Sequence, residues 1–160
     1  MRTNPLSVLA LVAAIGSAAV GGLFFAFSTF VMRGLNRINP VDAIIAMRGI
    51  NAEAQVNTAF LVLFFGSALA ALVVGVVAVF QLRKPGSRYL LAGAVFAVIA
   101  VLVTAAFNVP LNDQLEQVKP GTNAAQAWHD YADPWTLWNH VRTVCPLIGA
   151  ALLVVGAVRR

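Results

Sequence analysis

Acid is scarce in this chain. Its 160 residues hold six Asp and Glu against eleven Lys and Arg, and only 11% are charged. Soluble domains carry about 25% charged residues. That shortage, with 60% hydrophobic residues and a mean hydropathy of +0.82, points to a membrane protein, and the length allows one domain. Cysteine occurs once, at Cys145 in an apolar run. A single thiol makes no intramolecular disulfide and no thiolate cluster, so it reveals nothing about redox compartment. The two histidines, His129 and His140, match no strong zinc spacing, and no metal is expected. There is no nucleophile elbow, phosphate-cradling loop or Cys-x-x-Cys. Basic residues do not gather into an aromatic-interleaved patch, so nucleic acid is not an expected partner. The net charge of +5 is better explained by membrane orientation.

What is present is long apolar runs. Residues 6–32 contain no charge, a helix of roughly 40 Å that crosses a ~30 Å hydrocarbon core with tilt. A cleaved signal peptide would have an apolar region of only about 7–15 residues, so an uncleaved span is expected. Residues 56–82 and 89–111 follow. The last run, Val144–Val158, is short and spans only if its helix begins near Trp135. These runs predict an all-α, four-transmembrane-helix bundle with extra short helices in the two outer loops. They form a single membrane domain, residues 1–160, with spans at about 6–32, 56–82, 89–111 and 135–158.

Charge sets the expected orientation. Arg2, the Arg83/Lys84/Arg88 loop and Arg159/Arg160 carry no neighbouring acid, whereas all six acids (Asp42, Glu53, Asp113, Glu116, Asp130, Asp133) fall in the other two loops. Lys and Arg in short loops favour the cytoplasm, so both termini should be cytoplasmic and the loops at about 33–55 and 112–135 should face outside. In the first outer loop a helix starting near Pro40 is expected to run straight into the second span. In the second, Lys119-Pro120-Gly121 signals a turn, residues 123–131 a short helix, and Asp133-Pro134 the cap and first position of the fourth helix. Ala14/Ala18/Gly22 and Ser67/Ala71/Gly75 are spaced for close helix contact.

Polar residues near the spans cluster at the outer end. Asn51, Glu53, Gln55 and Asn57 lie on the second helix, Asn108 and Asn112 close the third, and Trp135, Trp138, Asn139, His140 and Arg142 open the fourth. Polar groups at membrane depth must be paired or face a cavity, so a shared pocket stands against simple tolerance of polar residues at helix ends. Asn108 either caps carbonyls left open by the helix end or contacts a ligand. Trp135 and Trp138 are either interface anchors or a flat pocket wall. Arg142 either pairs with Glu53 or an amide, or binds an anionic ligand. His140 is a candidate base or metal ligand, although it lies off the Trp138/Arg142 face, which should point at Asn108 and Asn112; His129 is a weaker candidate for the same roles.

Several motifs together resemble the family of small four-helix membrane proteins that contains fungal anthrone oxygenases and many bacterial members without known function. They are Gly22-Leu23-Phe24-Phe25-Ala26-Phe27-Ser28, Met47-Arg48-Gly49-Ile50-Asn51, Asn108-Val109-Pro110-Leu111-Asn112 and Trp138-Asn139-His140-Val141-Arg142-Thr143. The resemblance covers nearly the whole chain and implies the four-helix fold, a bacterial cytoplasmic membrane, and a cofactor-independent oxidation of a lipophilic aromatic such as an anthrone or phenol. Such a reaction needs a base, for which His140 and Glu53 are candidates. It also needs donors for an oxyanion, among Asn108, Asn112, Asn139 and Arg142, and aromatic walls, Trp135 and Trp138. Asn51 and Asn57 would complete the substrate site. The alternative is a non-enzymatic membrane protein that binds a lipid or small molecule, or an accessory subunit; a homo-oligomer or a membrane-protein partner is compatible with either.

Overall fold

A computed structural model describes residues 4–119 and 123–160. Arg2, Pro120 and Gly121 lie outside the described residues, and with them most of the expected turn. Among the described residues the chain is helical, without strands. The elements are α1 (Pro5–Ala26), a π turn (Phe27–Val31), α2 (Met32–Leu35), α3 (Pro40–Val56), α4 (Thr58–Phe80), α5 (Ser87–Val103), a second π turn (Thr104–Asn108), α6 (Val109–Gln117) and α7 (Ala124–Val158). The π turns join their neighbours into continuous rods. Four rods, Pro5–Leu35, Thr58–Phe80, Ser87–Gln117 and Ala124–Val158, are long and apolar enough to cross a bilayer, as expected of an integral membrane protein.

Local chemistry sets the helix starts. Asn4 and Asn39 each accept a hydrogen bond from the backbone N–H two residues on, and Pro5 and Pro40 take the first helical positions, where a missing N–H costs nothing. The helix expected near Pro40 begins there, but it does not run straight into the second span. Asn57 leaves the helix in an extended conformation, and its side-chain oxygen accepts from Phe60 N–H at 2.9 Å. One asparagine thus ends α3 and caps α4, so α3 turns away as a separate helix.

The fourth helix corrects the sequence reading. Asp133-Pro134 does not start it: α7 runs unbroken for 35 residues, with Pro134 and Pro146 inside. Pro134 cannot donate to the carbonyl four residues back, that of Asp130. Asp130 and Asp133 are exposed, so the proline lies on a solvent-facing stretch of the helix. Trp128, Tyr131, Ala132 and Trp135 are all buried in one cluster, and this packing carries the helix across the proline.

α7 lies against both α1 and α5, and α4 closes the ring against α1 and α5. At the end holding the termini the core is made of small residues around Leu90 and Leu153. α5 and α7 touch backbone to backbone here: a Cβ on Gly149 would stand 2.8 Å from Ala97 N and 2.9 Å from Gly93 O. Ser67, Ala71 and Gly75 do face neighbours, Gly75 toward Ala94 and Ser67 toward Gly16. Ala14/Ala18/Gly22 does not act as a contact stripe: Ala18 and Gly22 are exposed, and nothing lies within 4 Å of a Cβ at Gly22. α1 instead turns Ala10, Ala13, Ser17 and Gly21 inward.

The backbone contact predicts an asymmetry. Gly149→Ala should destabilise by about 1–3 kcal/mol through overpacking, whereas Gly22→Ala should be neutral or slightly stabilising through helix propensity. Thermal unfolding in one detergent checks both.

Candidate functional site

The end of the bundle opposite the termini is roofed by α3. Ala43, Ile44 and Met47 on its inner face pack with Leu115, Trp128, Tyr131 and Trp135. Arg48 fixes the roof. Its Nε and Nη2 donate to the Leu115 carbonyl at 3.0 and 2.6 Å, and Nη2 also reaches the carbonyls of Glu116 and Val118. The Leu115 carbonyl also accepts the Val118 N–H at 3.2 Å, and Arg48 brings a charged donor to this helix end, where a cation is favoured. Trp128 Nε1 donates to Asn36 at 2.8 Å, tying α7 to the α2–α3 loop.

Beneath the roof is a cavity of about 630 Å³, within the ~300–1,000 Å³ range of small-molecule sites. Its walls are Leu23, Phe24 and Phe27 from the α1 rod, Phe60, Leu61, Phe64 and Phe65 from α4, and Trp135 from α7. Phe24 and Phe64 meet edge to face, and Phe60 stacks on Phe64. Leu23 and Phe65 are 41% and 54% exposed on membrane-spanning rods, so the apolar wall opens laterally toward lipid.

The other end of the cavity is polar. Arg142 lines it and is 5% exposed. Nη2 donates to Asn139 Oδ1 at 2.8 Å, and Nη1 donates to Thr104 Oγ1 at 3.3 Å. Both partners are themselves pinned. Asn139 Nδ2 donates to the Phe24 carbonyl and to Ser28 Oγ, each at 2.8 Å, and the Thr104 hydroxyl donates to the Ala100 carbonyl at 2.7 Å. Ser28 and Thr104 come from the two π turns, which lie at the same level on either side of α7. π turns often occur at functional sites, where they re-aim side chains. The guanidinium lies over the Phe24 ring at 4.3 Å and the Trp135 ring at 4.9 Å from their centroids, so aromatic faces supply part of the missing solvation. Among the described residues no carboxylate comes within ion-pair distance of Arg142, and its Nε has no hydrogen-bond partner. Of five N–H donors, two are used.

Asn112 adds a second fixed donor. Its Oδ1 accepts from Tyr131 OH at 3.0 Å and from Trp135 Nε1 at 2.9 Å. With the oxygen occupied twice, the amide NH2 is what Asn112 offers to the cavity it lines.

The candidates named from sequence separate into groups. Arg142, Trp135, Asn112, Asn51, Glu53 and Asn57 all line the cavity, with Glu53 and Asn57 exposed at its rim. Asn139 is buried and acts on Arg142. Asn108 is buried outside the lining and donates to the Trp135 carbonyl at 3.2 Å, joining the second π turn to α7. His140 is exposed in a different, shallow hollow with Ser28, Arg33 and Asp133. His129 is exposed as well, 3.0 Å from Asp133. The face expected to point inward is displaced: Trp138 stacks on Phe107, with centroids 3.5 Å apart and planes 8° from parallel, and does not line the cavity. The buried stripe of α7 is Tyr131, Trp135, Asn139 and Arg142, following the i, i+4 and i, i+3 steps of one helical face. Tyr131, Thr104, Ser28, Phe24 and Asp113 were not among the sequence candidates. Tyr131 belongs to the same helical stripe, but the stripe is visible only if α7 is read through Pro134.

Among the described residues no group of three or more His, Cys, Asp or Glu side chains is placed to hold a metal ion. The sequence profile of the family described as Anthrone oxygenase matches residues 57–152. The chain belongs to this family. The match begins at the Asn57 cap and takes in Thr104, Asn112, Trp135, Asn139 and Arg142, leaving out α1 and the α3 roof. No curated protein and no solved structure matches the chain.

The network makes a stability prediction. Asn139→Ala strips Arg142 of its best acceptor and leaves a buried cation underpaired, and should cost about 2–4 kcal/mol. Adding Arg142→Met to that variant should recover part of the loss, whereas His140→Ala should stay within about 0.5 kcal/mol of the parent. Denaturant unfolding in micelles reads all three.

Proposed function

We propose that the protein is a cofactor-independent oxygenase that takes a lipophilic aromatic, an anthrone or a related phenol, from the bilayer into the α3-roofed cavity. Family membership supports a membrane oxidoreductase in general. The observation that supports the specific reading is Arg142: a buried cation without an acid partner, at the polar end of a cavity walled by aromatic rings. Such a group suits a flat apolar molecule that becomes an oxyanion. The charge bias, with Arg83, Lys84, Arg88, Arg159 and Arg160 at the opposite end, supports an outward-facing cavity and cytoplasmic termini.

The chemistry follows from those needs. A base removes a proton from the methylene carbon opposite the carbonyl, and the bond's electron pair passes into the ring system as an enolate. Arg142 and the Asn112 NH2 donate to the oxygen that carries the charge, an interaction stronger in the transition state than in the neutral ketone. The enolate gives one electron to dioxygen. The resulting superoxide and ring radical combine into a C–O–O bond, and the peroxide takes up a proton. Loss of the second C–H proton with cleavage of the O–O bond leaves a quinone carbonyl and hydroxide, which protonates to water. One anthrone and one dioxygen give one anthraquinone and one water. The reducing electrons come from the substrate. Because Glu53 and Asp113 line the cavity and His140 does not, this reading gives the base role to a carboxylate.

Oxygen uptake by the purified protein in nanodiscs, with anthrone supplied in the lipid, should match anthraquinone formation mole for mole. Arg142→Gln should lower kcat/KM by about 10²–10³, while Trp138→Ala stays near the parent. No uptake above the spontaneous rate, or an undiminished Arg142→Gln rate, would sink the proposal. Binding of anthrone without turnover would favour the lipid- or small-molecule-binding alternative.

A further inference from the structure

A second hollow of about 620 Å³ lies beside the cavity, between α3 and α6. Its character is opposite. Arg48, Asn51, Gln55, Asp113 and Glu116 line it, and the aromatic walls are absent. Four residues, Asn51, Gln55, Asn112 and Asp113, belong to both surfaces. The two hollows therefore meet along a polar seam, while the lipid-facing window at Leu23 and Phe65 lies on the apolar side. Asp113 is the one carboxylate on both surfaces, since Glu53 lines only the cavity and Glu116 only the hollow.

Resting on the reading above, we propose that the hollow between α3 and α6 is the cavity's aqueous door, and that Asp113 carries the substrate's proton through it to water. The reaction needs this separation. Its organic substrate is soluble in lipid, but each turnover detaches two C–H protons, returns two protons to oxygen and forms one water, and charged species in transit are costly to hold in hydrocarbon. In the first step the C–H bond breaks, the electron pair remains in the ring system, and the proton goes to an Asp113 carboxylate oxygen. Passing that proton to water in the hollow regenerates the carboxylate. Nothing is oxidised in this step.

The door is tested by labelling, which needs no turnover. In a Cys145→Ser background, Asn51→Cys on the seam should react with a charged sulfonatoethyl methanethiosulfonate, as should Ala52→Cys, which lines the hollow alone. Phe65→Cys on the apolar side should react with an apolar maleimide. Anthraquinone at about ten times its Kd should slow labelling of Asn51→Cys and Phe65→Cys by about tenfold, and leave Ala52→Cys unchanged. Gln55→Cys repeats the seam test if Asn51→Cys does not fold. If anthraquinone protects Phe65→Cys but neither seam position, or if the charged reagent does not reach the seam, the door is refuted and the proposed function stands. If it protects none of them, no ring occupies the cavity and both fall.

The proton role has its own readout. Asp113→Asn should lower kcat by about 10²–10⁴ at unchanged KM. It should also enlarge the isotope effect with methylene-deuterated anthrone and regain part of the rate in formate, while Asp113→Glu retains most of it. A full rate in Asp113→Asn, a loss confined to KM, or this pattern in Glu53→Gln instead would overturn it. Absence of turnover in the parent overturns it together with the proposed function.

Discussion

The distal half of this structure depends on the burial of Arg142. A guanidinium taken out of water is expensive, by several kcal/mol even after relaxation, and the fold meets that cost without a carboxylate. Asn139 and Thr104 each accept one N–H, and Phe24 and Trp135 present ring faces to the charge. Each partner comes from a different rod or is fixed by one: Asn139 is held by Phe24 and Ser28 of the α1 rod, and Thr104 by Ala100 of the α5 rod. The cation thus ties three membrane helices together at one level. That is also where both π turns fall, so the irregular backbone sits where the polar side chains must meet.

The two ends of the bundle solve different problems. Near the termini, glycine and alanine let α5 and α7 approach to backbone contact. At the distal end, large aromatics line an open space between the α1 rod, α4 and α7. The gap is covered by α3, which can lie across it because Asn57 breaks the chain between α3 and α4. Arg48 then holds the roof by occupying carbonyls at the end of α6. A cavity in a small bundle therefore follows from a gradient in side-chain size along the rods, with an asparagine cap and an arginine clamp to cover it.

Most of the architecture was legible in the sequence because bilayer-length apolar runs have few alternative explanations. Four spans, the Asn39-Pro40 start and a polar cluster at one end all follow from charge-free length and capping chemistry. What was not legible depends on packing. Asp133-Pro134 has the local chemistry of a helix start, yet the burial of Trp128, Tyr131 and Trp135 against α3 carries the helix through it. A helix starting at Pro134 would turn Trp138 inward, whereas in the fold Trp138 stacks on Phe107, a partner 31 residues away in sequence. The same apparent start also hid Tyr131, one turn before it. Thr104 and Ser28 were invisible for a related reason: hydroxyls inside apolar runs look like neutral filler until a π turn directs them at a charge. The grouping of Arg142 with Asn112 and Asn139 at one level did not need the exact helix start.

Among the described residues no carboxylate pairs with Arg142, and the proposed function draws on that. At an effective dielectric near 20, unit charges 4 Å apart interact by about 4 kcal/mol. Glu53 at that distance would spend this interaction in the ground state, and a substrate oxyanion would meet a neutralised pair. Glu53 instead stays exposed at the cavity rim. Amides and rings hold the guanidinium in place without cancelling its field, so under the proposed function the same interaction would remain for a charge that develops only during reaction. If it is realised only in the transition state, about 4 kcal/mol corresponds to about three orders of magnitude in rate. Pairing with neutral groups would let one residue be both the structural tie of the distal bundle and the electrostatic site of the proposed reaction, because the tie uses two of its N–H groups and brings no opposite charge to it.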